Sequence, residues 1–305
     1  MSYGNGDAVG ITLPFTHATW VVGMALRLTG YNTFRFIILL ADNGNAQFGL
    51  CITNTGALQG CRGGLAATVG PVSTNVLSLN TWYFVEFKCT INNTTGSFEA
   101  RVNGTSTGWL PPLTNQNTRQ TANNSANGVQ VGASQDWNYP SSNGTTGYID
   151  DVYALDGAGT VNNDFLGDVR VETLYPTGAG NYAQWAPVGA AANWDCTNDP
   201  QANDDTDYTS SYTLNQIDTY TIADLSAASA AIPGVQINTL LRKDNAGSRT
   251  VAPLLRSGGT DYPQANIAVL DSYAYNLQML ETKPAGGAWD DTTVNGIEAG
   301  VKLIA

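Results

Sequence analysis

A chain of 305 residues is long enough for two domains of ordinary size, each able to bury most of the surface it exposes when unfolded. Charged residues make up only 12% of it against 42% hydrophobic, with 33 glycines and recurrent Asn and Thr, a profile that suits many short strands joined by tight turns. The formal net charge of −12 repels nucleic acid and anionic membranes, which excludes a polyanion-binding role, and the longest apolar run, Phe36 to Ala41, is far too short to span a bilayer.

No basic, then apolar, secretion signal opens the chain, so it reads as a protein made and kept without export. Ser2 to Leu13 is apolar enough at Val9, Ile11 and Leu13 to supply an edge strand, either to its own sheet or to a neighbour's. From Ala18 to Leu28 large side chains (Trp20, Val22, Met24, Leu26, Leu28) alternate with small or polar ones, the period of a strand packed on one face. Phe34 to Leu40, Gln47 to Ile52 and Leu58 to Gly63 read as a meander with turns at Asp42-Asn-Gly44 and Asn54-Thr-Gly56. Cys51 and Cys61 flank the second turn and are candidates for a cross-hairpin disulfide, against which the missing export signal counts.

Thr81 to Cys89 and Ser97 to Gly104 form the clearest hairpin. Tyr83, Val85, Phe87 and Cys89 share one face, while Trp82, Phe84, Glu86 and Lys88 share the other, so Glu86 and Lys88 are expected to meet Glu99 and Arg101 in a solvated charge ladder. Asn115 to Asn127 reads as a polar loop. A strand around Val129 to Gly132, a second loop from Asp136 to Gly144, and a strand from Gly147 to Leu155 follow. After a weak stretch, Asp156 to Asp164, a new strand series is expected from about Asp168, which places the domain boundary there: residues 1–168 and 169–305. The second half shows strand patterns near Gln184, Tyr208, Thr219, Val235, Thr250, Tyr273 and Gly300. Val235 to Val251 reads as a hairpin, and a short helix follows Asp290, which supplies a capping residue. The fold class is therefore all-β with two β-sandwich domains.

The chemistry is sparse. Asp150 and Asp151 are neighbours on a strand and are expected to point to opposite faces, so they do not make the facing carboxylate pair, roughly 5 to 10 Å apart, that glycoside hydrolysis needs. His17 is the only histidine, which leaves a zinc site or a Ser/His/Asp triad without partners. Asn203 to Asp207 alternates oxygens as a calcium loop does, but Tyr208 and Leu214 stand where such a loop wants Gly and Glu. Asp150, Asp205 and Asp207 are the weak metal candidates. No cofactor is expected beyond a structural calcium ion, and no enzyme activity.

Three segments in order, Trp82-Tyr-Phe-Val-Glu-Phe-Lys88, Gly96-Ser-Phe-Glu-Ala-Arg-Val-Asn-Gly104 and Gly147-Tyr-Ile-Asp-Asp-Val-Tyr153, resemble the motif series of concanavalin A-like jelly rolls of the laminin-G type. Asn163-Asp-Phe-Leu-Gly-Asp-Val-Arg-Val-Glu-Thr-Leu-Tyr-Pro176 and C-terminal pieces such as Lys243-Asp-Asn-Ala-Gly247 and Ser257-Gly-Gly-Thr-Asp-Tyr262 are similar to segments of bacteriophage virion proteins. The resemblance implies a concanavalin A-like jelly roll for residues 1–168. It also implies a structural protein displayed on a tail or capsid, assembled in the host cytoplasm with other virion proteins, homo-oligomeric, and neither bound to nucleic acid nor inserted in a membrane. A second reading is a carbohydrate-binding module that holds host surface glycan through Trp109, Trp137 and Tyr139. A third is a polysaccharide depolymerase of the same superfamily.

Overall fold

The structure, a computed structural model, describes residues 2–3, 8–65, 67–138, 144–229 and 231–305. It divides into two compact units, Met1–Val171 and Glu172–Ala305. Among the described residues no helix is long and apolar enough to cross a membrane.

Unit 1 is built from β1 (Ser2–Tyr3), β2 (Ala8–His17), β3 (Thr19–Tyr31), β4 (Arg35–Asp42), β5 (Asn45–Ile52), β6 (Leu58–Arg62), β7 (Thr68–Val69), β8 (Trp82–Thr90), β9 (Gly96–Val102), β10 (Thr105–Gln116), β11 (Ala126–Ser134) and β12 (Thr145–Leu155). They form two six-stranded antiparallel sheets, β1-β12-β3-β8-β9-β10 and β2-β11-β4-β5-β6-β7. The alternation from Trp20 to Leu28 sends all five large side chains inward, where they meet Ile38, Leu40, Phe48 and Leu50 from the second sheet. Phe48 sits between Phe87 at 6.1 Å and Phe98 at 5.0 Å, bridging the two sheets through aromatic contacts.

The N-terminal segment is an edge strand of its own unit. β2 pairs with β11 from Val9↔Val131 to Thr12↔Gly128, and β1 pairs with β12, so both sheets gain an edge from residues expected to be able to reach a neighbour. The Asn115 to Asn127 region divides: β10 runs through Gln116, β11 begins at Ala126, and residues 117–125 between them form a loop pinned to the sheet. The Gln47 amide oxygen accepts from the backbone N–H groups of Gln120 and Thr121, its nitrogen donates to Asn123 and Ser125 carbonyls, and the buried Asp42 carboxylate accepts from Thr121 Oγ1 at 2.6 Å and Asn123 Nδ2 at 2.9 Å. A loop without apolar anchors is held instead by buried side-chain acceptors.

All four cysteines are buried free thiols. Cys51 stands opposite Gln59 and Cys61 opposite Gly49, so the two lie on one face, offset diagonally by two residues, and do not face each other directly. Burial and the neighbouring Cys61 sulfur push the Cys51 thiol well up from its ordinary range. A thiol reagent is accordingly expected to label none of the four in the folded protein and all four in denaturant. Fast labelling of any of them under native conditions contradicts the packing described.

Unit 2 contains β13 (Pro176–Ala183), β14 (Ala186–Val188), β15 (Tyr208–Ser210), β16 (Ile217–Ile222), β17 (Val235–Leu241), β18 (Thr250–Ser257), β19 (Thr260–Pro263), β20 (Ile267–Ala268), β21 (Ala274–Leu280) and β22 (Glu298–Leu303). One sheet runs β13-β16-β22-β18-β19 with β20 on β18, and β14-β15 and β17-β21 form separate ribbons. The strand series starts at Pro176, since residues 168–175 carry no strand. Val235 to Val251 is not a hairpin: β17 pairs with β21, Val235↔Leu280 through Leu241↔Ala274, while β18 pairs with β22. The β17-β21 ribbon packs Ile237, Val235 and Leu280 against Leu255 and Trp289, which closes a second core. Asp290 caps the one α-helix among the described residues, α1 (Asp291–Asn295), by accepting from the Thr293 N–H at 2.7 Å; the Lys283 ammonium at 2.9 Å and then the bonds from Thr293 hold its carboxyl down to about 2.

Candidate functional site

The outward face of the first sheet carries the residues of interest in register. Tyr148, Arg27 and Trp82 make one row, Asp150, Ala25 and Phe84 the next, and Tyr153, Gly23, Glu86 and Arg101 the third. Gly23 is small for a reason: a Cβ there would lie 2.2 Å from the Tyr153 ring, which crosses the strand at that point. Across the gap the Tyr153 hydroxyl donates to Glu86 Oε1 at 2.5 Å, and the same oxygen accepts the Gly167 N–H at 2.8 Å. Burial, then the Glu86 bond, push the Tyr153 hydroxyl far up.

Residues 164–171 therefore run over this face as a strap. Asp164 pairs with Lys88 at 3.0 Å, the Arg101 guanidinium stands 4.0 Å from the centre of the Phe165 ring, and the Val171 N–H donates to Asp151 Oδ1 at 2.8 Å. The expected ladder register, Glu86↔Arg101 and Lys88↔Glu99, is present, but the expectation that it is solvated is overturned. Glu86 is 1% exposed because the strap covers it.

Beside the strap the face stays open. A groove of about 430 Å³ is lined by Ala25, Trp82, Tyr83, Phe84, Asn103, Asp150, Asp151 and Asp168. Trp82 is 48% exposed. Asp151 has a left-handed φ of 50° at an irregularity in the β12 ladder between Asp150 and Tyr153. That break cancels strict strand alternation, so both aspartates line one groove and do not lie on opposite faces as expected from sequence. Asp150 Oδ1 accepts the Asp151 N–H at 3.0 Å, and Asn103 Oδ1 accepts the Phe84 N–H at 2.9 Å, which leaves the Asn103 amide nitrogen to donate outward.

The residues singled out from sequence lie elsewhere. Trp109 is 8% exposed and belongs to the unit 1 core, so its faces are closed to a sugar ring. Trp137 is half-buried over the second sheet, where a Cβ on Gly128 would stand 2.7 Å from its ring, and it helps cover Phe36 and Leu39. Tyr139 lies outside the described residues. Of the metal candidates, Asp205 accepts from Arg242 at 2.7 Å and Tyr273 at 2.8 Å through one oxygen, and Asp207 accepts from Asn203 at 2.7 Å. Among the described residues no group of three or more His, Cys, Asp or Glu side chains converges as a metal site. His17 faces Asp156 at 3.2 Å between the Phe15 and Trp20 rings. Sequence reasoning missed Trp82, although its alternation with Tyr83 in β8 already put a Trp on the face away from the core.

No family model matches the chain, and no curated protein matches it. Solved structures that share its likeness include a heptameric pentraxin from Limulus polyphemus (16% identity, TM-score 0.37, 51% of this chain and 72% of that one). A galectin from Caenorhabditis elegans gives 14% identity, TM-score 0.32, and 50% and 95% coverage. A sialidase from Trypanosoma rangeli gives 14%, 0.35, and 51% and 25%. The all-β sandwich stands on the sheets described above, independently of these likenesses. None of these three is a virion protein, and the comparisons add nothing to the virion expectation.

Proposed function

We propose that unit 1 is a carbohydrate-binding module whose ligand lies in the groove against Trp82. The observation that carries this is the half-exposed Trp82 ring set in a groove with Asp150, Asp151, Asp168 and the Asn103 amide at its walls. An indole face presents a large, rigid apolar surface to the C–H face of a sugar ring, and the side-chain oxygens and amide around it match ring hydroxyls. Tyr148 is the natural extension along the row, but the Arg27 guanidinium already stands 5.6 Å from the centre of its ring. The virion setting rests on the segment resemblance alone, and only Asp168 of those segments reaches the groove, so the binding reading does not depend on it.

A glycan array followed by calorimetry tests the reading. Trp82→Ala is expected to weaken the best ligand at least tenfold, about 1.4 kcal/mol, with the melting temperature preserved because the ring lies outside the core. Unchanged affinity in that variant places the ligand elsewhere, and release of reducing ends from the same glycan supports the depolymerase reading instead.

A further inference from the structure

We infer that the outer face of the β17-β21 ribbon in unit 2 is where a second copy of this chain docks, about a two-fold axis at Leu277. The sugar-binding groove of unit 1 plays no part in it. A strand covered on one side turns its apolar residues inward and shows polar ones to water. β21 does the reverse. Its outward residues are Tyr275, Leu277 and Met279, 66%, 50% and 57% exposed, while Asn276 and Gln278 stand on the inward face with Leu280. Leu240, Asn238 and Gln236 of β17 stand opposite the three, so the outer face of the ribbon carries no charged side chain. Charges begin past the strand ends, where Arg242 is paired with Asp205, Lys243 with Asp271 and Lys283 with Asp290, and Glu281 follows Leu280.

Charge, spacing and shape choose a second copy as the occupant. Each copy carries a net −12, so two copies meet with least repulsion where neither presents a charge, and a basic partner finds nothing on this face to pair with. The stripe is also matched to itself. Sheets that pack face to face lie about 10 Å apart with their strands roughly aligned, and an antiparallel pair centred on Leu277 sets Leu277 on Leu277 and Tyr275 of each copy on Met279 of the other, a sulfur–aromatic contact. Met279 is in addition one wall of a groove of about 580 Å³ shared with Tyr262, Pro263 and Pro284, which Asp261, Glu281 and Lys283 also line. The axis brings Tyr275 of the second copy to the mouth of that groove, where its ring finds apolar walls and its hydroxyl finds polar groups. With Leu240 the stripe offers on the order of 400 Å² of apolar surface per copy, about half of the roughly 800 Å² that each partner gives to a standard interface; the groove rim and the Gln236 and Asn238 amides supply the remainder.

The test is sedimentation velocity of the full chain over a concentration series. The parent is expected to dimerise at about 10 μM, and more tightly at about 0.5 M than at about 0.05 M salt, since salt screens the −12 on each copy and leaves an apolar contact intact. Leu277→Asp and Leu277→Lys each set like charges against themselves across the axis and are expected to weaken the dimer at least tenfold, with the melting temperature kept because the side chain is half-exposed. An equimolar mixture of the two opposes Asp to Lys and is expected to recover the dimer. Tyr275→Ser is expected to weaken it without placing a charge in the ribbon, and carries the test should either charged variant melt early. Tyr212→Ser, at an aromatic residue 90% exposed outside the ribbon, leaves the dimer as it is. A parent that stays monomeric at about 100 μM, a dimer that survives both Leu277→Asp and Tyr275→Ser, a dimer that salt dissolves, or a mixture of the charged variants that stays monomeric overturns the inference.

Discussion

Glu86→Ala is expected to destabilise unit 1 by about 3 kcal/mol, because one carboxylate oxygen serves two donors. The Tyr153 hydroxyl and the Gly167 N–H both end on Glu86 Oε1, in a place 1% exposed. Removing the side chain takes away the acceptor of the Tyr153 O–H and of the Gly167 N–H, leaving the phenol only the Leu166 N–H that it accepts, and water has to enter beneath the strap to satisfy the two donors. The strap should loosen before the sandwich does, since the ties that remain are surface contacts, Asp164 to Lys88, Val171 to Asp151 and the Phe165 ring on Arg101, together with a longer bond of 3.3 Å from the Leu166 N–H to the Tyr153 hydroxyl. Denaturant titration reads the first effect. Limited proteolysis with mass mapping reads the second, with new cuts expected between residues 156 and 171. Glu86→Gln keeps an acceptor at the same reach and should recover much of the loss. A Glu86→Ala protein that melts and resists protease like the parent shows that the strap is held by something other than this oxygen.

Gly300→Val is expected to abolish the fold of unit 2. β22 lies between β16 and β18, and a Cβ on Gly300 would stand 1.9 Å from the Asp218 carbonyl oxygen across the ladder. No rotamer relieves a contact made by the first carbon against backbone. The strand must leave the sheet or the sheet must open, a loss of roughly 4 kcal/mol or more in a central position. The opening also strips cover from Asp218, a carboxylate that burial pushes up in pKa and that accepts from Asn193 Nδ2 and the Tyr220 hydroxyl. Two units with separate cores should then show two outcomes in one molecule: calorimetry of the variant loses one transition and keeps the other. Loss of both transitions together would mean that residues 1–171 cannot fold without the rest, against the division proposed from sequence near Asp168.

What could be read from the sequence follows from where each strand's partner lies. Trp20 to Leu28 and Trp82 to Cys89 announce themselves because alternation is a local property, and Asp290 announces α1 because a cap lies next to its helix. The Val235 to Val251 hairpin misread arises from the same locality: a turn signal near Asn245-Ala-Gly247 is visible, whereas the true partner of β17 begins at Ala274. Glu86 looked solvated because its cover arrives from Gly167, and 81 positions separate donor from acceptor. Trp109 is a sugar-stacking candidate by residue type alone and lies in the core, while Trp82, which alternation sets on the outer face in a row with charged side chains, is the exposed ring. The groove needed one further fact that no periodicity contains, the backbone turn at Asp151 that brings two adjacent carboxylates to one side.

The placement of β3 between β8 and β12 has a consequence for synthesis. β8 is complete once residue 90 has been made, but β12 ends at Leu155, and the contact between Thr29 and Thr146 joins positions 117 apart. At ribosomal speeds the interval between the two strands lasts roughly 3 to 13 s. Throughout it one side of β3 offers unpaired amides and carbonyls beside a row of large apolar side chains, the combination that recruits strands from other chains. A nascent chain stalled between residues 91 and 144 is therefore the form of this protein most prone to aggregate and most in need of a chaperone, well before the second unit has begun to emerge.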